Sequence, residues 1–456
     1  MKPKKIFTLL LLSTLVFSAG FGCKQNVLNK EQFKPITLEY WGVWDTPEQM
    51  SKVISAYQAT HPTIRVNYRN FRYDEYEAKL LAAAWDNRVP DIFMIPSTDL
   101  KKYQAKLSSM PKVVKIPITQ IQGTIKKEAI TTLQTVNSLS LQDVKEKFVQ
   151  VVNDDVVVDN KIYGLPYSVD TLVTFYNSDL LTKAGIPEPM KDLDELVEQV
   201  EKSGLAKIGT NNQIYQAGVA LGGADNIPRF FDILSALWME NDVKMQGNDF
   251  NPLQDKTSAQ RFADVLTFYT YFADPTKAVY SWTADLPNAF ELFAQGKLAY
   301  FFGYSYHADE LRKRGLQFNW DLENFPQTRG AEGTKYYANY WLNVVAKNSA
   351  NQDAAWNFVQ SVTTDPALVS QYLEPNNKPT ALRALVKKQL ENDQVRVFAS
   401  QVLTADNWYA GYNATLAETY LAEFIKSYFK KEIQLDAKGL DFLVKRLNQT
   451  YSKPNE

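Results

Sequence analysis

The chain has 456 residues, of which 45% are hydrophobic and 22% are charged, and its formal net charge is −1. A chain of this length predicts two lobes rather than one core, and its composition is typical of a soluble globular protein. The balanced charge gives no basic field for nucleic acid, and two histidines and one cysteine leave little material for a metal site or a Cys/His nucleophile. We therefore expect no nucleic acid, metal or cofactor.

The N-terminus has the layout of a secretory signal. Three lysines precede an apolar stretch at residues 6–21, which is too short to indicate a membrane span, and Cys23 follows a run of mostly small residues. This arrangement resembles the lipobox of bacterial lipoproteins, although Gly20 and Phe21 depart from its usual residues. The resemblance implies a signal peptide at 1–22, acylation of Cys23 and a flexible tether at 23–34. The alternative is an ordinary signal peptide or a membrane anchor.

The first folded stretch alternates strands and helices. Strand patterns at 36–41, 64–68 and 90–97 are separated by amphipathic helices at 48–60 and 73–85. This β-α-β-α-β order predicts a parallel sheet with helices on both faces, and ligands of such sheets bind beyond the carboxyl ends of the strands. The residues expected at that crevice are Trp44, Asp45, Ser97 and Asp99. For Trp44, the alternative is a packing or surface role.

Residues 159–177 combine a turn signal, a proline and a buried-strand pattern. Pro166 cannot lie inside a central strand, and an apolar run at 172–176 follows it. Between them lie Tyr167 and Asp170, which offer a flat ring and a carboxylate where the backbone changes direction. Such groups suit a polar ligand. A turn leading into a core strand, with Tyr167 packed inside, explains the pattern equally well.

Several stretches together resemble one known family. They are the first strand ending in Trp, ATHPTIRVNY, VPDIFMIPS, DNKIYGLPYSVDT and FYNSDLLTKAGIPEPMKDLDEL. In order and spacing they are similar to the extracellular solute-binding proteins of bacterial ABC importers, specifically the sugar-binding family that includes maltose-binding protein. The resemblance implies a type II periplasmic-binding-protein-like fold, in which two α/β lobes are joined by a hinge with a cleft between them. Residues 101–148 depart from the family pattern, and we assign no function to them.

The resemblance also divides the chain and adds site residues. It implies a first lobe at 35–155 and 316–364 and a second lobe at 156–315 and 365–456. An aromatic residue that stacks on sugar follows one strand of the second lobe, so this role falls to Tyr304 or Tyr306. Further contacts are expected from Asn339, Trp341, Trp408 and Tyr409. For Trp408 the alternative is a core tryptophan.

These features imply a monomeric, lipid-anchored substrate-binding protein outside the cell membrane. It would capture a sugar or oligosaccharide between aromatic rings of both lobes and deliver it to the permease subunits of an ABC importer, without catalysing a reaction. One alternative keeps the fold but binds a sugar phosphate, a peptide or another polar solute. Another is a surface glycosidase, which needs two carboxylates about 5 to 10 Å apart, and Asp45, Asp99 and Asp170 could supply them.

Overall fold

The computed structural model describes residues 34–85, 88–122, 128–202, 204–243, 250–330 and 333–453. The predicted signal peptide, Cys23 and all of the tether except Lys34 lie outside these residues. Across the described ranges, no helix combines the length and the apolar character needed to cross a membrane.

Helices and strands alternate along most of the described chain. The helices are α1 (Pro47–Thr60), α2 (Tyr73–Trp85), α3 (Leu100–Tyr103), α4 (Leu141–Lys147), α5 (Gln150–Val156), α6 (Ser178–Lys183), α7 (Leu193–Lys202), α8 (Phe230–Glu240), α9 (Lys256–Tyr271), α10 (Ala289–Ala294), α11 (Ser305–Arg314), α12 (Gln352–Thr364), α13 (Pro366–Leu373), α14 (Arg383–Leu390), α15 (Arg396–Gln401), α16 (Ala414–Phe429) and α17 (Ala437–Gln449). The strands are β1 (Ile36–Gly42), β2 (Ile64–Asn70), β3 (Ile92–Pro96), β4 (Leu107–Ser108), β5 (Val113–Gln122), β6 (Glu128–Asn137), β7 (Val157–Val158), β8 (Lys161–Ile162), β9 (Asp170–Thr171), β10 (Val173–Asn177), β11 (Lys207–Ile208), β12 (Ile214–Val219), β13 (Leu298–Gly303), β14 (Trp320–Asn324), β15 (Tyr336–Asn339), β16 (Trp341–Ala346) and β17 (Ala405–Asp406).

The first lobe is built on the sheet β2-β1-β3-β16-β4. Strand β1 pairs in parallel with both β2 and β3, which confirms the predicted β-α-β-α-β unit, and β16 returns antiparallel to β3. Helix α1 begins at Pro47 behind a capping box, in which the Gln49 N–H donates to the Thr46 hydroxyl and the Thr46 N–H donates to the Gln49 side chain. Its buried face, which includes Val53 and Tyr57, packs toward this sheet.

The second lobe is built on the sheet β11-β12-β13-β10-β14. Strands β12 and β13 are parallel, whereas β10 runs antiparallel to both β13 and β14. The strand pattern at 172–176 is therefore confirmed as a central strand. Asp159 and Asn160, both with positive φ, form the two-residue turn between β7 and β8, as their sequence signal predicts.

Two assignments near the expected lobe boundaries are wrong. Strand β14 belongs to the second sheet, because it pairs with β10 over its whole length, although its residues were expected in the first lobe. Helix α13 packs against α1 and α12 of the first lobe, although residues after 364 were expected in the second. The chain therefore returns to the first lobe later, and leaves it later, than the family resemblance implied.

A small third sheet, β17-β15-β9, joins three separate parts of the chain between the lobes. Strand β15 is parallel to β17 and antiparallel to β9. The unfamiliar stretch at 101–148 contains a long hairpin, β5–β6, whose buried Val114 and Ile116 lie against α12. It is thus an addition to the first lobe.

Candidate functional site

Three aromatic side chains form an exposed group at the carboxyl-end edge of the first sheet. Trp44 follows β1, Tyr73 opens α2 and Trp341 opens β16. The Trp44 ring is stacked on Tyr73 at 5.2 Å between centroids and meets Trp341 edge-on at 5.7 Å. Trp44 is 52% exposed and Tyr73 62% exposed. We call these three residues the aromatic platform; Trp44 and Trp341 were predicted for the site, and Tyr73 was missed.

Asp45 lies directly behind the platform but is a buried structural group. Its carboxylate accepts hydrogen bonds from Lys378 Nζ at 2.5 Å and from the Tyr372 hydroxyl at 2.9 Å. It is 1% exposed. A buried carboxylate with these partners stabilises the loop that carries Trp44, and the structure does not bring it to the surface as the sequence suggested.

Ser97 and Asp99 follow β3, as expected, and both are buried. The Asn407 side-chain amide donates to Ser97 Oγ at 3.1 Å, which ties the end of β3 to the segment after β17. Burial raises the pKa of Asp99 to about 6, against the opposing effect of Lys102. Its carboxyl group is therefore protonated at a higher pH than that of a solvent-exposed aspartate.

Tyr167, Asp170 and Asn339 lie in the segments that join the lobes. Asp170 on β9 is opposite Asn339 on β15, and its carboxylate accepts hydrogen bonds from the backbone N–H and the hydroxyl of Ser305 at 3.0 and 2.6 Å. Burial raises the pKa of Asp170 to about 6. Tyr167 is buried against Tyr372, with ring centroids 4.6 Å apart, so the packing alternative holds for this residue.

The two tyrosines after β13 have different environments. Tyr304 is fully buried and donates a hydrogen bond to Asp232 at 2.7 Å. Tyr306 is 52% exposed and lies nearly parallel to Tyr304, at 6.1 Å between ring centroids. Of the pair, only Tyr306 offers a ring face to a ligand, and Tyr304 supports it from beneath.

Trp408 and Tyr409 are core residues, and the expectation that they contact ligand is wrong. Trp408 is 3% exposed, stacks on Trp238 at 4.6 Å and donates its indole N–H to the Val243 carbonyl at 2.8 Å. The Tyr409 hydroxyl donates to the Thr450 carbonyl at 3.2 Å. Both side chains fill the interior around α8, because that interior supplies aromatic neighbours and hydrogen-bond acceptors for them.

A charged cluster on the second lobe was missed by the sequence analysis. Arg229 precedes α8 and pairs with Asp232 in its first turn, with Nε and Oδ2 3.0 Å apart. The guanidinium lies over the Tyr304 ring at 4.7 Å. Glu418 on α16 belongs to the same cluster; burial raises its pKa to about 7, Asp232 raises it further and Arg229 opposes the rise. In the sequence, the only signal is an Arg and an Asp three residues apart at a helix start.

A buried polar network connects the segments between the lobes. The Asp155 carboxylate at the end of α5 accepts hydrogen bonds from the Tyr340 hydroxyl and from the side-chain amide of Asn407. Burial raises the pKa of Asp155 to about 7, although both hydrogen bonds oppose the rise. Three crossing segments thus meet at one carboxyl group.

Two lobes, each built on its own mixed sheet and joined by several crossing segments around a crevice, define the type II binding-protein fold. The chain belongs to the family of bacterial extracellular solute-binding proteins, whose model matches residues 44–368. A cyclic alpha-maltosyl-1,6-maltose binding protein from Arthrobacter globiformis has the same fold, with a TM-score of 0.69, 15% identity and coverage of 91% of this chain and 99% of that one. The predicted family and fold are confirmed.

Two curated relatives match part of the chain. A maltotriose-binding protein from Pyrococcus abyssi is 22% identical over 269 residues, which is 58% of this chain and 54% of that protein. A galactooligosaccharide-binding protein from Bacillus subtilis is 22% identical over 222 residues, covering 48% of this chain and 46% of that protein. The chain therefore spans about half the length of the curated relatives it matches.

Proposed function

We propose that this chain is the substrate-binding component of an ABC importer and that it captures a neutral oligosaccharide between its lobes. The aromatic platform is the observation that carries the proposal. A sugar ring has an apolar C–H face and a rim of hydroxyl groups, and exposed aromatic rings bind the face. Trp44 and Tyr73 expose such surfaces, with the partly buried Trp341 beside them, at the edge where ligands of α/β sheets bind. The two curated relatives are named for binding maltotriose and galactooligosaccharide, which also supports a sugar ligand.

Ligand capture follows from the two-lobe architecture. The platform belongs to the first lobe, whereas Tyr306 and Arg229 belong to the second. A ligand that contacts both groups binds the closed arrangement more tightly than the open one and so shifts the population toward closure. The closed surface would then be recognised by the membrane permease, and acylated Cys23 would hold the protein at the membrane. The anchor is tested by Cys23→Ser, which should move the protein from the membrane fraction to the medium.

Two of the three carboxylates considered for a glycosidase are engaged within the protein. Asp45 is ion-paired with Lys378, and Asp170 accepts two hydrogen bonds from Ser305. Groups held in this way favour a scaffold role over acid–base chemistry. Incubation with maltotriose or a galactooligosaccharide followed by chromatography is the test, and release of shorter sugars would contradict the binding-only function.

Thermal-shift measurements on the mature chain test the ligand class. The panel comprises maltotriose, maltotetraose, mannobiose, a galactooligosaccharide, a sugar phosphate and a tripeptide. A ligand at 100 times its Kd stabilises a protein by about 2.7 kcal/mol, so a true ligand should raise the melting temperature measurably. Tyr73→Ala should abolish most of this rise, whereas Tyr215→Ala, which removes an equally exposed tyrosine on β12, should not. A response only to the phosphate or the peptide would refute the proposed ligand class.

A further inference from the structure

We infer that Arg229 is a ligand-binding and specificity-determining residue of the second lobe, and that its pairing with Asp232 adapts it to adjacent hydroxyl groups of a neutral sugar rather than to an anionic group. This inference rests on the proposed function, since it names how the opposite side of the same cleft recognises the oligosaccharide.

The guanidinium group is held in one orientation. Its Nε lies 3.0 Å from Asp232 Oδ2, and its plane centre lies 4.7 Å from the Tyr304 ring centroid. Asp232 is itself fixed by the hydrogen bond from the buried Tyr304 hydroxyl. A guanidinium that is already oriented loses little conformational entropy when it binds a ligand.

The guanidinium retains donor capacity. Among the described residues, its buried Nε has no hydrogen-bond partner, although it lies 3.0 Å from Asp232 Oδ2, and the side chain is 26% exposed. Tyr306, whose ring is exposed, lies above Tyr304, on which Arg229 also packs. The planar fork of an arginine donates two parallel hydrogen bonds, which matches two oxygen atoms on neighbouring carbons of a sugar ring.

The first lobe lies within electrostatic range of this cluster. Burial is the main cause that raises the pKa of Tyr73 on the platform, and the next causes are Glu418, which raises it, and Arg229, which lowers it. Helix α8, which follows Arg229, packs against β15, and only Tyr340 separates β15 from Trp341 of the platform. Arg229 therefore lies on the side of the second lobe that adjoins the platform.

The charged side chains around Arg229 determine whether its guanidinium group binds hydroxyl oxygens or anionic oxygens of a ligand. Asp232 balances the charge of Arg229, and Glu418 adds a second carboxyl group beside it. A carboxylate or phosphate on the ligand would approach two acidic side chains for one guanidinium. A neutral diol accepts the same hydrogen bonds without that repulsion, and its own hydroxyl protons have carboxylate acceptors nearby.

Calorimetric titration with the tightest-binding neutral oligosaccharide of the panel, and with the same sugar oxidised to carry one uronate, tests the inference. Arg229→Gln should weaken binding of the neutral sugar about 10- to 100-fold, as expected for loss of hydrogen bonds from a charged donor. Arg229→Lys should restore little of it, because a lysine lacks the fork. Asp232→Asn should improve relative affinity for the uronate about 10-fold, which is a change in specificity that a folding defect does not produce.

The matched control is Arg314→Gln. Arg314 is also paired with a carboxylate, Glu291, and also lies over an aromatic ring, that of Phe290 at 4.8 Å, but at the opposite end of α11 from Tyr306. It should leave both affinities unchanged. If the single variant Arg229→Gln does not fold, the double variant Arg229→Gln/Asp232→Asn replaces it in the test, because it removes both charges and leaves no unpaired one. If the wild type binds sugar and the Arg229 variants bind it equally well, this inference alone is overturned; if the wild type binds no sugar, the proposed function fails and this inference fails with it.

Discussion

Replacing Trp341 and Trp408 separately by alanine should give opposite results. Trp408 is 3% exposed and stacks on Trp238 at 4.6 Å, and its indole N–H is bonded to the Val243 carbonyl. Its removal leaves a cavity and an unpaired carbonyl, which costs ~3–5 kcal/mol of unfolding free energy. Trp341 is only partly buried and its ring edge meets Trp44, so its loss should cost stability little and remove stacking on the ligand, worth ~1–2 kcal/mol.

The assays are denaturant unfolding and calorimetric titration of the same two variants. Trp341→Ala should bind oligosaccharide about 5- to 30-fold more weakly and unfold near the wild-type midpoint. Trp408→Ala should unfold at much lower denaturant, and Trp408→Phe should lie between it and the wild type. A Trp408→Ala protein of normal stability that has lost sugar binding would refute this reading of the two tryptophans.

Three further outcomes follow from the site and the segments between the lobes. The pKa of Asp155 is raised from 3.8 to about 7, so its contribution to stability is complete below pH 3.8 and is lost as pH rises through 7. Asp155→Asn should therefore stabilise the protein by ~2–4 kcal/mol at pH 8 and by little at pH 4, as measured by denaturant unfolding at both pH values. Lys378→Met should destabilise by about 3 kcal/mol because it leaves buried Asp45 unpaired, and adding Asp45→Asn should recover most of this in the same assay. Trp44→Ala should weaken sugar binding in a calorimetric titration without lowering the unfolding midpoint, and unchanged affinity would remove Trp44 from the site.

The first lobe could be predicted from sequence because its signals are local. The period of α1, the proline at its start and the apolar pattern of β3 each specify their element, and the order of elements specifies parallel pairing. The end of each strand then locates the edge where ligands bind. This rule led to the prediction of Trp44 at the site, whereas Trp341 was predicted from the family resemblance.

Long-range pairing limited the rest. Nothing within β14 indicates that it pairs with β10, since the two strands are far apart in sequence, and its assignment to the first lobe failed for that reason. The prediction that Trp408 contacts the ligand was wrong for a similar reason. A tryptophan after a short polar segment suits a ligand site and a core equally, and only the positions of Trp238 and Val243 decide between them.

Arg229 was missed for a different reason. An arginine three residues before an aspartate at a helix start is typical of a surface ion pair. The position of the Arg229–Asp232 pair depends on Tyr304, which follows β13. Tyr304 donates a hydrogen bond to Asp232, and the Arg229 guanidinium lies over its ring. Such a cluster depends on tertiary contacts and has no sequence motif of its own.

A crystal structure of the mature chain with the tightest-binding neutral oligosaccharide tests the central claim most directly. We predict one sugar ring against Trp341 and Trp44 of the first lobe, with its hydroxyl groups within hydrogen-bond distance of Arg229 on the second. A sugar bound away from the cleft, or bound in the cleft without contact to the aromatic platform, would contradict the account.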